Sequence, residues 1–173
     1  GGYGLKTGFP LLDTCVWKHG LMPGWLIVPL APPKRFKSTF CLNVAMNVVS
    51  PAIGKNVFYY SCEISQDLIT ARALTHMTGL SQDSMFEDPI EFKRRANAAK
   101  QDQIAGYLVF KEFAAGTATV GDIRAHTTLI QRQLGIEPNL IIIDYAETVL
   151  PSERKAQDHR EQANIYTEAR ELG

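Results

Sequence analysis

Apolar segments of strand length alternate with longer amphipathic segments along this chain, and this order is the strongest constraint on its fold. Largely apolar strands are predicted at residues 25–30, 56–62, 107–110 and 139–144, a composition typical of strands covered on both faces. Helices are predicted at 11–17, between residue 38 and Pro51, and at 66–78, 89–104, 120–134 and 157–172. Strands alternating with helices favour a mainly parallel sheet flanked by helices, and 173 residues are enough for one such α/β domain.

The composition narrows the possible partners and the cellular compartment. Lys plus Arg and Asp plus Glu both number 18, so the net charge is zero and any contact with nucleic acid must be local or shared between subunits. Cys15, Cys41 and Cys62 have no C-x-x-C spacing and leave one cysteine unpaired, which favours a reduced, cytoplasmic protein. The longest apolar segments have the length of a strand, so we expect neither a membrane span nor a secretory signal.

The segment A-P-P-K-R-F-K-S, which ends at Ser38, has the layout of the phosphate-binding loop G-x-x-x-x-G-K-[ST] with both glycines replaced. Phosphate binding requires backbone N–H groups at a helix N-terminus and a cation, a role open to Lys37, while Ser38 would reach Mg²⁺. Phe36 stands where glycine is usual, because such loops need unusual torsions. Two explanations remain open. Either Lys34 and Arg35 help an altered loop to hold nucleotide, or the loop binds none and simply begins a helix.

Two strands end in carboxylates at the edge of the sheet where open α/β folds bind ligands. Asp144 follows four aliphatic residues and is predicted to bind Mg²⁺, although a turn aspartate would also fit. Glu63 closes the second strand and is a candidate base for the water that attacks a γ-phosphate, although a lone glutamate there is more often solvated. Together with the Lys37-Ser38 pair, these groups predict a nucleotide site.

Four motifs in order resemble the RecA-type motor domain of the DnaB-like hexameric replicative helicases, especially those of phages. They are T-G-F-P-L-L-D followed by G-L-M-P-G, at residues 7–13 and 20–24; S-C-E-I-S-Q-D-L with an arginine four residues on, at 61–72; K-E-F-A-A-G-T-A-T-V-G-D-I-R, at 111–124; and I-D-Y-A-E, at 143–147. The resemblance covers nearly the whole chain. It implies a RecA-like P-loop fold, so that residues 1–173 form one ATPase domain with an atypical phosphate loop.

The resemblance also implies ATP and Mg²⁺ as cofactors, bound between subunits of a hexameric ring. Lys37 would hold phosphate, Ser38 and Asp144 would serve Mg²⁺, and Glu63 would be the catalytic base. Arg72 lies where it would line the nucleotide pocket, although a salt bridge on the helix surface explains it equally well. The implied nucleotide-binding residues are Pro33, Lys34, Arg35, Phe36, Lys37, Ser38, Thr39 and Arg72. Glu147 occupies a position where the family often has glutamine.

The expected function is that of an ATP-driven DNA helicase, with single-stranded DNA and a primase or other replisome proteins as partners, in the cytoplasm (that of the host if the protein is phage-encoded). Residues 149–160 would contact DNA or form an ordinary solvated surface. Proteins of this class carry a further strand between the phosphate-loop strand and the strand ending in Asp144, so the chain is expected to be part of a longer protein. Two alternatives are a recombination ATPase that does not unwind DNA and a non-catalytic assembly module.

Overall fold

The structure is a computed structural model that describes residues 4–16, 19–32, 35–114, 116–144 and 159–172. Helices and strands alternate through most of this part of the chain. The helices are α1 Pro10–Cys15, α2 Lys37–Val49, α3 Gln66–Thr78, α4 Ser84–Glu87, α5 Pro89–Gln103, α6 Val120–Leu134 and α7 His159–Arg170, and the strands are β1 Val57–Ser61, β2 Leu108–Glu112 and β3 Leu140–Asp144. The six helices and three of the four strands predicted above are present, with ends that differ by a few residues; the short α4 was not predicted.

Capping groups in the sequence account for the ends of α3 and α6. The Ser65 hydroxyl accepts from the backbone of Leu68 at the start of α3, and Gly79 ends that helix with a φ of 68°. Thr119 begins α6 with a reciprocal capping box, in which its hydroxyl accepts from the Asp122 N–H and the Asp122 carboxylate accepts from the Thr119 N–H. The predicted bounds of both helices are confirmed because these signals are local.

The sheet is parallel, as predicted, with the strand order β2-β1-β3. In register, Ser61 at the end of β1 lies between Glu112 of β2 and Asp144 of β3. The parallel arrangement brings the carboxyl ends of all three strands to one edge of the sheet. Polar groups that are far apart in the sequence therefore meet there.

Helices cover both faces of this sheet. On one face, Val57 and Tyr59 of β1 pack with α2, α3 and α5; on the other, Phe58 and Tyr60 pack with α6 and α7. All five residues of β1 are buried, because this central strand is covered on both sides. In the described part of the chain, no helix has the length and apolar character needed to cross a membrane.

The strand predicted at residues 25–30 is wrong for the described structure. These residues have no regular secondary structure, and their large apolar side chains are exposed, from 39% for Leu26 to 89% for Leu30. A strand requires a neighbour to accept and donate its ladder of hydrogen bonds. The apolar composition of the segment was sufficient for the prediction, but no described strand lies beside it.

The segment before α1 is attached to the core by a buried carboxylate. Asp13 is 6% exposed, and one of its oxygens accepts from both the N–H and the hydroxyl of Thr7, each at 2.8 Å. The Thr7 carbonyl in turn accepts from the Asn47 side chain of α2 at 3.1 Å. The T-G-x-x-x-L-D motif therefore has a structural explanation, because it holds the first helix against α2.

Candidate functional site

Helix α2 begins at Lys37, directly after a residue with left-handed backbone torsions. Phe36 has a φ of 62° and a ψ of 20°, a conformation that favours glycine, and its side chain is 75% exposed. The loop thus has at this position a left-handed torsion of the kind that glycine adopts readily. Because the first N–H groups of a helix lack intrahelical partners, the start of α2 is suited to bind an anion.

Asp144, at the end of β3, faces the start of this helix. Its Oδ1 accepts a hydrogen bond from the Ser38 hydroxyl at 3.1 Å, although 106 residues separate the two in sequence. Its Oδ2 accepts from the hydroxyl of Tyr59 in β1 at 2.7 Å. The carboxylate is only 3% exposed, so both of its oxygens are hydrogen-bonded in a nearly closed environment.

Burial and the charge of Asp144 together raise the pKa of two neighbouring side chains. Burial, then the carboxylate charge, raises the pKa of the Cys41 thiol to about 11, while the Lys37 ammonium acts in the opposite direction. Burial also raises the pKa of the Tyr59 phenol well above its ordinary value, with the charge of Asp144 and the hydrogen bond to it adding to the rise and Arg72 opposing it. Both groups therefore stay protonated at neutral pH, and Tyr59 remains a hydrogen-bond donor.

Glu63 lies two residues beyond the end of β1, at the same edge of the sheet, and is exposed. The turn that carries it is held by Ser61, whose hydroxyl donates to the Ile64 carbonyl at 2.6 Å and accepts from the Ile64 N–H at 3.0 Å. Register puts Ser61 beside Asp144, so the chain reaches Glu63 two residues after it passes the buried carboxylate. No described contact joins Glu63 to Ser38 or Asp144.

The other predicted site residues are partly exposed, partly half-buried and partly outside the described residues. Arg35 lies just before α2 and Thr39 lies in its first turn, and both are exposed. Arg72 of α3 is half-buried within electrostatic reach of Tyr59. Pro33, Lys34, Glu147 and residues 149–158 lie outside the described residues. The structure therefore brings Ser38 and Asp144 into contact. Lys37 lies within electrostatic reach of Cys41, and Glu63 lies at the same edge of the sheet as Asp144.

Tyr59 and Cys41 were missed by the sequence analysis. Both read as core residues, since Tyr59 lies inside a strand and Cys41 on the buried side of a helix. Strand alternation does put Tyr59 and Ser61 on one face, but only the register of β1 with β3 shows that this face includes Asp144. No local signal in the sequence carries that register.

The side chains at the start of α2 and the end of β3 fit Mg²⁺ and a nucleotide. A serine hydroxyl and one carboxylate are hard oxygen ligands, and Mg²⁺ is usually bound through one or two carboxylates together with substrate phosphates. Within the described ranges there is no cluster of three or more His, Cys, Asp or Glu side chains that could hold a metal alone. A divalent ion here would therefore depend on phosphate oxygens and water for further ligands.

A parallel α/β sheet with a lysine-serine helix start opposite a strand-end aspartate defines a RecA-like domain of the P-loop class, and comparison with solved structures agrees. One solved structure, described as an ATPase domain, superposes with a TM-score of 0.78 at 18% identity, over 98% of this chain and 59% of that one. The sequence signature described as DnaB-like helicase C terminal domain matches residues 4–173, and the chain belongs to this family.

Curated relatives agree with the family assignment. The chain is 25% identical over 164 residues to the replicative DNA helicase DnaB of Geobacillus stearothermophilus, covering 93% of this chain and 34% of that protein. It is 25% identical over 133 residues to the DnaB-like replicative helicase of Enterobacteria phage T4, covering 75% of this chain and 28% of the relative. The chain thus spans about a third of the length of these relatives.

Proposed function

We propose that this chain is the motor domain of a ring-forming replicative DNA helicase, which couples Mg-ATP hydrolysis to movement along single-stranded DNA. The observation that carries the proposal is the hydrogen bond of 3.1 Å between the Ser38 hydroxyl and the Asp144 carboxylate, at the N-terminus of α2. It joins the two oxygen groups that a phosphate-bound Mg²⁺ would need. Family membership supports the choice of a helicase over other P-loop proteins.

In this proposal each residue has a separate role. Lys37 and the N–H groups at the start of α2 bind the terminal phosphates of ATP. Ser38 and Asp144 hold Mg²⁺, which neutralises charge on the phosphates when bound. Glu63 orients the attacking water and accepts its proton, a role for which its exposure at the sheet edge leaves access. Phe36 supplies the left-handed torsion, and its ring is exposed.

The same proposal gives roles to the remaining site residues and defines the extent of the domain. Pro33, Lys34, Arg35 and Thr39 complete the phosphate loop, and Arg72 lines the nucleotide pocket. Residues 1–173 form one RecA-like domain of a longer protein, in which a further strand pairs β3 and covers residues 25–30. The exposed apolar side chains of that segment support this assignment, because large contiguous apolar surfaces are rarely left uncovered.

The partners follow from the same proposal. One solved structure is described as that of a DnaB-like replicative helicase and its interactions with primase. It superposes on this chain with a TM-score of 0.76 at 18% identity, over 99% of this chain and 41% of that one. We infer a hexameric ring around single-stranded DNA, with a primase or another replisome protein as a further partner. Such a protein works in the cytoplasm, where the replicating DNA lies.

The test is ATP hydrolysis by the full-length protein, with and without single-stranded DNA, in the presence of Mg²⁺. Glu63→Gln is expected to lower kcat about 10²–10⁴-fold, as loss of a general base does, while nucleotide binding is retained. Lys37→Ala is expected to lose nucleotide binding. Glu137→Gln is the matched control, because Glu137 is also exposed but lies in the loop before β3, at the opposite edge of the sheet.

Three outcomes would contradict the proposal in different ways. A folded, assembled protein that neither binds nor hydrolyses ATP would favour the assembly module. DNA-stimulated hydrolysis without strand displacement on a forked substrate would favour a recombination ATPase. Equal losses in Glu63→Gln and Glu137→Gln would remove Glu63 from the role of base and leave the nucleotide site in place.

A further inference from the structure

The hydroxyl of Tyr59 is directed at the carboxylate on which the proposed site depends. Tyr59 is 1% exposed, and its hydroxyl donates to Asp144 Oδ2 at 2.7 Å, while Ser38 donates to Oδ1 at 3.1 Å. Each carboxylate oxygen thus has its own hydroxyl donor, one from the helix and one from the neighbouring strand. The two donors together determine the plane and rotation of the carboxylate.

The position of this hydroxyl is determined by the sheet and by aromatic packing. Tyr59 pairs in register with Ile142, two residues before Asp144 on the same face of β3. Its ring packs edge-on against Phe110 of β2, with the ring centroids 5.6 Å apart. A tyrosine has only two side-chain torsions, so a ring held on both sides places its hydroxyl with little freedom.

We propose that Tyr59 is a positioning residue that holds Asp144 Oδ2 so that Oδ1 is presented to Ser38 and to a divalent ion at the start of α2. The inference rests on the proposed function, in which Asp144 binds Mg²⁺. Tyr59 itself does not contact nucleotide or metal in this arrangement. Its role is that of a hydrogen-bonding partner to a metal ligand, and removal of such a partner typically lowers metal affinity or activity about 10–100-fold.

A matched control lies next to it in the same strand. Tyr60 is also buried, but it points to the opposite face, where its hydroxyl is 2.8 Å from the Thr127 hydroxyl and 3.2 Å from Nδ1 of His126. Tyr59→Phe and Tyr60→Phe each remove one buried hydroxyl from β1 and keep the ring. Both variants are therefore expected to lower the melting temperature, whereas only the first variant alters the surroundings of Asp144.

The experiment measures Mn²⁺ binding to the full-length protein with ADP, by electron paramagnetic resonance of the free ion, and the Mg²⁺ dependence of ATP hydrolysis. Tyr59→Phe is expected to weaken Mn²⁺ binding about 10-fold and to raise the half-saturating Mg²⁺ concentration to a similar extent, with kcat at saturating Mg²⁺ changed much less. Tyr60→Phe is expected to match the wild type in both measurements.

Each result decides between the positioning role and the proposed function. Equal Mn²⁺ affinity in Tyr59→Phe and the wild type, in a protein that hydrolyses ATP, overturns the positioning role and leaves the motor in place. A loss of Mn²⁺ affinity in Tyr59→Phe but not in Tyr60→Phe, with a wild type that binds ATP without hydrolysing it, supports the positioning role and overturns the motor. Equal losses in the two phenylalanine variants would assign the effect to general destabilisation, and no Mn²⁺ binding by the wild type would overturn both proposals.

Discussion

Replacing Phe36 by glycine is expected to relieve strain at the start of α2. Phe36 has a φ of 62° and a ψ of 20°, and a non-glycine residue in this left-handed region costs about 1–2 kcal/mol. The side chain is 75% exposed, so its removal sacrifices only a fraction of the roughly 1.5–3 kcal/mol that full burial of a large apolar side chain provides. Glycine therefore removes the strain at a small loss of packing.

Phe36→Ala is the matched comparison, because it deletes the same ring but keeps a Cβ in the strained conformation. Glycine gains the strain relief of about 1–2 kcal/mol, and loses about 0.4–1 kcal/mol through the greater freedom of its unfolded chain. The difference predicts that Phe36→Gly is more stable than Phe36→Ala by roughly 1 kcal/mol.

Urea denaturation of the two variants, with a common slope, measures this difference. With a slope of about 1–3 kcal/mol/M, the midpoint of Phe36→Gly should lie roughly 0.3–1 M above that of Phe36→Ala. A Phe36→Ala variant that is as stable as Phe36→Gly, or more stable, would refute the reasoning, since it would mean that the backbone at this position is not held in the left-handed region.

Two further predictions concern hydrogen bonds near helix starts. Asp13→Ala leaves the buried N–H and hydroxyl of Thr7 without their acceptor and should lower the free energy of unfolding by about 2 kcal/mol or more in urea denaturation. Asp67 is an exposed residue in the first turn of α3, and Asp67→Ala should lower the free energy of unfolding by less than about 1 kcal/mol. Equal losses in the two variants would contradict the role of Asp13. Hydrogen bonds from the Thr119 hydroxyl, and to a lesser extent from the Thr119 N–H, lower the pKa of Asp122. The carboxylate therefore stabilises the fold above its ordinary pKa of about 4, and this stabilisation is lost as pH falls through the lowered pKa. The difference in unfolding free energy between the wild type and Asp122→Asn should therefore shrink as pH falls below about 4, and a constant difference would exclude this titration.

The elements that the sequence predicted best are those with local signals. The bounds of α6 follow from Thr119, Asp122 and Gly135, all of which act within one helical turn of its ends. The strand ending in Asp144 was recognisable because four aliphatic residues precede a single carboxylate. Residues 25–30 carry an equally apolar signal, yet they form no strand, because pairing depends on a neighbour that the local sequence does not specify.

The candidate site likewise has parts that the local sequence predicted and parts that it did not. The pattern of residue types at helix and strand ends singled out Lys37, Ser38, Glu63 and Asp144 as candidates, because phosphate and Mg²⁺ chemistry requires such groups. The left-handed torsion of Phe36 was not predictable, since the sequence alone left open whether a bulky residue is tolerated in the loop.

The local sequence determines the order of strands and helices and the residues that can carry charge at their ends, because propensity, capping and periodicity act over a few residues. Contact between Ser38 and Asp144, across 106 positions, and the hydrogen bond from Tyr59 to the same carboxylate depend on the parallel register of β1 and β3 and on the placement of α2 above them. Packing of both faces of the sheet sets that register. The tertiary structure therefore decided which of the candidate groups meet, and how the carboxylate is held.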